Sequence, residues 1–271
     1  MAFICYNGEF FPAEQPLLGV QNRAFKYGDG FFETMKVKNG ALELPALHRE
    51  RLELSLKLFG FAGNPDIDRW MELALACCEQ NNCFSSARVR LQVFRQEDDV
   101  PGFAIEVWPL AADAGYWNEK GLQVDLFGHC RKSSDAYANL KTCNFLSYVL
   151  AARDAKEKKI DDCLVLNQHG FICDSSKANV FFIIGEKIIT PALHHGCVNG
   201  VMRRYVIDTL KRSGIPVYQE EVREEDLLKA DEMFLTNAII GIKWVELYKQ
   251  KRFTYTITKE IFNSIFNQQK D

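Results

Sequence analysis

The dipeptide Asn39-Gly40, set between the runs Phe31 to Lys38 and Ala41 to Leu44, constrains the chain more than any other local feature. A two-residue loop of this wording takes positive φ at both central positions, which Asn and Gly tolerate, and it folds the flanking runs onto each other as an antiparallel hairpin. Pro45 then opens a stretch to Phe59 carrying Leu47, Leu52, Leu54, Leu56 and Leu58, and Ile67 to Cys78 repeats apolar residues at helical spacing. Ala87 to Phe94 and Phe103 to Trp108 alternate as strands. These elements predict a small N-terminal α/β domain over residues 1–109, followed by a connector over 110–120.

From Gly121 strands and helices interleave. Leu122 to Phe127, Cys163 to Leu166, Phe171 to Cys173, Val180 to Ile184, Ile188 to Thr190, Val217 to Val222 and Met233 to Thr236 read as strands. Phe145 to Lys158 and Val201 to Arg212 read as helices. The expected class is α/β (α+β), with a larger C-terminal domain over 121–271 and a ligand in the cleft between domains.

Composition narrows the partners. Lys and Arg number 33 against 36 Asp and Glu, a net charge of −3 that offers no broad basic field for nucleic acid or an anionic membrane. No run approaches the roughly 20 uncharged apolar residues of a membrane helix, and the N-terminus lacks a basic segment followed by an apolar one. The expectation is a cytoplasmic protein with a small-molecule partner. Nine cysteines, with no Cys-x-x-Cys pair and no His at zinc spacing beside them, point to reduced thiols and disfavour a metal enzyme.

Individually the candidate residues are unspecific. Lys141, between a predicted strand and a predicted helix, becomes an imine-forming amine if desolvated, yet most lysines at such junctions are solvated. Gly200-Val201-Met202-Arg203 precedes a helix whose first N–H groups suit a phosphate, although a glycine there is more often a plain cap. Arg51 is a bidentate phosphate donor or a solvated helix arginine. Asp174 is an acid after a strand or a turn former.

Their order and wording decide. Arg23 to Thr34 (Arg-Ala-Phe-Lys-Tyr-Gly-Asp-Gly-Phe-Phe-Glu-Thr), His48-Arg49-Glu50-Arg51-Leu52, Leu140-Lys141-Thr142-Cys143-Asn144, Asp174 to Phe181, Thr190-Pro191, Gly200 to Arg203 and Phe234 to Ala238 occur in one sequence. From about residue 3 to 246 this chain resembles the fold-type IV enzymes that use pyridoxal 5'-phosphate. The resemblance implies that Lys141 carries the cofactor as an imine and moves the substrate proton. It further implies that Arg51 and the backbone of Val201 and Met202 hold the phosphate, with Ala238 at the same end, and that Asp174 faces the pyridine nitrogen. Phe32 and Arg95 are the candidates for the substrate pocket, and a homodimer is the implied assembly.

Departures from the family wording are informative. Asp174 stands where Glu is usual, and Phe145 where many members have Tyr. Met202 and Ala238 lack hydroxyls often found there. The loop Arg95-Gln96-Glu97-Asp98-Asp99 is acidic where the D-amino-acid transaminases carry a carboxylate clamp, so only Arg95 there offers a cation. The Gly-Gly-Asn-Tyr of branched-chain aminotransferases is absent. The wording around Lys141, Val198 to Arg203 and Ala230 to Met233 is most similar to aminodeoxychorismate lyases, which implies an amino substrate and loss of pyruvate. The alternatives are an aminotransferase of the branched-chain or D-amino-acid type, and a protein of this fold without turnover.

Overall fold

A computed structural model describes residues 2–111 and 113–266. The class is mixed α/β, in two contact-defined bodies: residues 1–114 with 140–144, and residues 115–139 with 145–271.

The first body holds β1 (Phe3–Tyr6), β2 (Glu9–Pro12), α1 (Arg23–Tyr27), β3 (Gly30–Lys38), β4 (Ala41–Leu42), α2 (Pro45–Phe59), α3 (Ile67–Gln80), β5 (Ser86–Arg95) and β6 (Pro101–Pro109). Its six strands form an antiparallel sheet in the order β2-β1-β6-β5-β3-β4. Asn39 and Gly40 do turn with φ of 51° and 77°, the pair of left-handed positions their hairpin requires. Period-two alternation puts Ala87, Val89, Leu91 and Val93 on one face of β5, fully buried. They pack with Met35 and Val37 of β3 against Leu52 and Leu56 of α2 and Trp70, Ala74, Cys77 and Cys78 of α3. Each of the larger of these side chains contributes about 1.5–3 kcal/mol by leaving water. The opposite face carries Phe32, Thr34, Arg88, Arg90 and Gln92, the face from which chemistry is available.

The second body holds β7 (Leu122–Lys132), α4 (Leu146–Lys158), β8 (Asp162–Asn167), β9 (Ile172–Ser175), β10 (Asn179–Ile184), β11 (Lys187–Pro191), α5 (Val201–Arg212), β12 (Val217–Glu220), α6 (Glu224–Lys229), β13 (Glu232–Asn237), β14 (Gly241–Tyr248), β15 (Lys251–Arg252) and α7 (Thr256–Phe266). Eight strands run β12-β11-β10-β13-β14-β7-β8-β9, and β15 pairs with β14. The sheet is mixed: β7 runs parallel to β8 and β14, and β11 to β12. Every residue of β8 is buried, which is why its sequence shows a continuous apolar run rather than alternation. Tyr148, Ala151 and Ala155 of α4, at helical spacing, bury against Cys163, Val165 and Cys173.

The sequence divides the chain at 110–120, whereas the contacts also assign residues 140–144 to the first body. Hydrogen bonds explain this. Phe31 and Thr142 form an antiparallel bridge, Phe32 N–H donates to the Lys141 carbonyl and Cys143 N–H to the Gly30 carbonyl, each at 2.9 Å. All nine cysteines are free thiols. Among the described residues no helix is long and apolar enough to cross a membrane.

Candidate functional site

In the first body those two backbone bonds fix the main chain on both sides of Lys141, and its side chain lies over β3. Lys141 Nζ is 4.2 Å from the centroid of the Phe32 ring. The guanidinium carbon of Arg90 is 3.9 Å from the same centroid. A ring face attracts a cation with about 0.5–2 kcal/mol, enough to aim an amine and too little to hold it against a covalent partner. Burial pulls Arg90 below its usual pKa, and an arginine remains charged regardless. Sequence reasoning missed Arg90. Its signal was the polar face of β5: Phe32 pairs with Gln92 and Thr34 with Arg90, so Arg90 is the diagonal neighbour of Phe32.

Glu33 points to the other face of β3, into the contact with α2. Arg51 clasps it through Nε to Oε1 at 2.6 Å and Nη2 to Oε2 at 2.7 Å. His48 Nδ1 lies 2.8 Å from Oε2. A carboxylate only accepts, so Nδ1 carries the proton in that bond. Burial alone would push Glu33 up, but the adjacent guanidinium and the His48 bond hold its carboxyl at about 2. Arg51 is thus an aimed donor with its charge already matched, not the solvated helix arginine of the plain reading.

Arg95 is committed within its own surroundings. Nε bonds both oxygens of Asp29 at 3.2 and 3.1 Å, Nη1 the Asp99 carboxylate at 2.8 Å and Nη2 the Phe59 carbonyl at 2.6 Å. The guanidinium also stacks on Phe61. It neutralises the acidic loop.

In the second body Asp174 is fully buried on β9 and surrounded by donors. Tyr148 Oη donates to Oδ2 at 2.6 Å and Val198 N–H to Oδ2 at 3.0 Å. Asn179 Nδ2 donates to Oδ1 at 2.8 Å, and Lys132 Nζ approaches Oδ2 at 3.5 Å. Burial pushes the Asp174 carboxyl up, while the Lys132 charge and the three hydrogen bonds act against it. Where a family tyrosine is usual, Phe145 stacks on Tyr148 with centroids 4.2 Å apart. Tyr148, one turn further along α4, carries a hydroxyl, and it is given to Asp174. Lys132 and Tyr148 had no signal in the sequence beyond being polar residues near a strand end and on a helix.

Gly200 is the N-cap of α5 and contributes no side-chain cap to the first turn, where Val201 and Met202 are buried. A Cβ at Gly200 would overlap Asn179 Oδ1, so only glycine fits there. Asn179 Nδ2 also bonds the Val198 carbonyl, tying the turn before α5 to Asp174. Ala238 is half-buried in the turn after β13, whose Thr236 pairs with Asn179. Asp174, Val201, Met202 and Ala238 therefore belong to one body, and Lys141, Phe32, Arg51 and Arg95 to the other.

A phosphorylated pyridine aldehyde calls for an amine, a guanidinium and helix N–H donors for its phosphate, and a carboxylate for its ring nitrogen. The first body holds an amine at Lys141 and a guanidinium at Arg51, and the second holds the first N–H groups of α5 and the carboxylate of Asp174. Asp174 fits the last requirement as a buried carboxylate whose Oδ1 takes a single donor, Asn179 Nδ2, where a carboxylate oxygen accepts about two.

Comparison with known proteins gives consistent findings. Residues 30–247 match the family model described as amino-transferase class IV. An aminodeoxychorismate lyase of Vibrio harveyi is 29% identical over 230 residues, covering 82% of this chain and 83% of that protein. A putative branched-chain-amino-acid aminotransferase of Methanocaldococcus jannaschii is 26% identical over 255 residues, covering 88% and 85%. The PLP-bound form of a hypothetical aminotransferase from Mycobacterium tuberculosis superposes with a TM-score of 0.83 at 20% identity, covering 98% of this chain and all of that one.

Proposed function

Because the chain belongs to the class IV aminotransferase family, and is accordingly a pyridoxal-phosphate-dependent aminotransferase or lyase, we propose that it eliminates pyruvate from 4-amino-4-deoxychorismate to give 4-aminobenzoate. The observation that carries the reading is Lys141, an amine fixed by two backbone bonds to β3 and aimed by the Phe32 ring. The relation to the lyase of Vibrio harveyi supports this choice of reaction.

When bound, pyridoxal phosphate supplies an electron sink for the pair released as a bond at the substrate carbon breaks. The residues of this chain do the rest. Arg51 and the first N–H groups of α5, at Val201 and Met202, hold the phosphate, with Ala238 leaving room beside it. Asp174 keeps the pyridine nitrogen protonated. Lys141 Nζ would hold the cofactor and, once displaced by the substrate amine, would take the proton from the substrate carbon and return it to the departing three-carbon group, which leaves as pyruvate. Arg90, a permanent cation beside the ring that aims Lys141, orients a substrate carboxylate; Arg95 is spent on Asp29 and Asp99.

The discriminating experiment supplies the loaded enzyme with 4-amino-4-deoxychorismate, and separately with leucine or D-alanine plus 2-oxoglutarate. Pyruvate released in step with 4-aminobenzoate is the expected result. Glutamate formed from leucine or D-alanine, with no 4-aminobenzoate from 4-amino-4-deoxychorismate, would replace the lyase by an aminotransferase, the activity named for the Methanocaldococcus relative, and no product in either assay would leave a protein of this fold without turnover. In the active reaction Arg90→Met raises KM at least ~10-fold with a smaller change in kcat, the scale of one lost charge-assisted contact; an unchanged KM removes Arg90 from the substrate site.

The same reading makes the protein a homodimer of the cytoplasm. The nine free thiols fit a reducing compartment. Helix α1 buries none of its residues, and Phe25 and Tyr27 are 75% and 63% exposed, apolar surface that a second copy would cover. Light scattering should return twice the 31.1 kDa chain mass; a monomer at micromolar concentration would refute the dimer.

A further inference from the structure

Lys132 is a buried cation that the proposed chemistry leaves unused. Its side chain is 10% exposed, its Nζ donates to the Ala138 carbonyl at 2.7 Å, and it stands 3.5 Å from Asp174 Oδ2. It also lies 5.1 Å from the centroid of the Tyr148 ring. Tyr148 is itself buried and gives its only hydroxyl proton to the same carboxylate oxygen.

The elements packed on Asp174 bring few charges to it. Strand β9 offers Cys173, the turn before α5 offers Cys197 and the Val198 N–H, β10 offers Asn179, α4 offers Tyr148, and β7 offers Lys132. Burial pushes Cys197 up to about 12 and Cys173 higher still, so neither thiol is charged at neutral pH. Burial likewise lifts the Tyr148 phenol well above its usual value, so it stays a donor. Lys132 is therefore the one cation acting on Asp174 among these groups.

We infer that Lys132 and Tyr148 are positioning residues that hold Asp174 ionised and in place for the reaction, Lys132 as its counter-charge and Tyr148 as its hydrogen-bond anchor. The inference rests on the reading that Asp174 faces the ring nitrogen of the cofactor. A buried carboxylate without a cation takes up a proton rather than remain charged, and a protonated acid cannot keep a neighbouring ring nitrogen cationic. The aspartate is reached by Tyr148 at 2.6 Å, which fixes the carboxylate plane while Lys132 fixes its charge.

The first arm of the test uses the cofactor-free protein. Thermal midpoints of the wild type, Lys132→Met, Asp174→Asn and the double variant are measured from about pH 5 to about pH 9. Asp174 has a raised folded pKa, so it destabilises increasingly as pH climbs from its unfolded value to its folded one. Removing Lys132 raises the folded value further. The Lys132→Met deficit should consequently widen with pH and vanish in the Asp174→Asn background. A deficit that is constant with pH, or that persists when Asp174→Asn is also present, overturns the inference.

The second arm uses the loaded enzyme. Lys132→Met should move the acid limb of the kcat profile upward by about one pH unit, Lys132→Arg should restore it, and Tyr148→Phe should lower kcat several-fold while the Phe145 stack persists. An unmoved limb, with the first arm positive, cuts the tie between the pair and the reaction and so overturns the inference as stated. A wild type with no cofactor absorption would instead defeat the functional reading, leaving the first arm intact.

Discussion

Replacing Lys141 with alanine abolishes the visible absorption of the cofactor-loaded protein and lowers turnover by at least ~10³-fold, the scale lost when a positioned proton-transfer group and covalent anchor are removed together. The protein itself should survive the change. What ties residues 140–144 to β3 is backbone: the Phe32 N–H to the Lys141 carbonyl, Cys143 N–H to the Gly30 carbonyl, and the bridge between Phe31 and Thr142. Alanine keeps all three. The side chain loses a cation–ring contact worth about 0.5–2 kcal/mol, within what a domain of this size tolerates. Circular dichroism and the unfolding midpoint should stay near wild type while colour and product disappear. A Lys141→Ala protein that still turns over substrate would remove the lysine from the mechanism.

That backbone pairing also marks where the sequence stops being legible. The hairpin at Asn39-Gly40 and the helices from Pro45, Ile67 and Val201 were readable because local chemistry decides them: a positive-φ turn, a proline at a first turn, apolar residues at helical spacing. The allocation of residues 140–144 is decided by a strand more than a hundred positions earlier, and no local pattern announces it. Likewise Lys141, Arg51 and Asp174 were found through the ordered wording of the motifs, whereas Arg90, Lys132 and Tyr148 came only with the structure. Arg90 needs the β3–β5 register, and Lys132 and Tyr148 meet Asp174 across 42 and 26 residues. Helix α7 was missed for a different reason: its apolar positions Ile261, Phe262 and Ile265 follow no capping signal that separates them from the preceding strands.

Arg51→Met should lower stability by about 3–5 kcal/mol at neutral pH, the cost of leaving one partner of a buried pair without the other. Both side chains are almost wholly enclosed, and the pair is bidentate, so solvent screens little of the loss. The sign follows from the pH dependence. In the wild type Glu33 sits at about 2, below its usual 4.5, so the stability it contributes is complete above the usual value and is lost as pH falls through about 2. Without Arg51, burial dominates and lifts the Glu33 carboxyl, so the variant is penalised at high pH and relieved as the acid protonates. Urea midpoints should therefore show a wide gap between wild type and Arg51→Met at about pH 7 that narrows toward about pH 4. The double change Glu33→Met with Arg51→Met should recover most of the loss, because it removes the stranded charge as well. A gap that does not respond to pH, or a double variant no better than the single one, would show that the pair does not carry this stability. The cofactor supplies an independent reading of the same guanidinium. Binding of pyridoxal phosphate should weaken in Arg51→Met far more than binding of pyridoxal, which has no phosphate to meet a guanidinium.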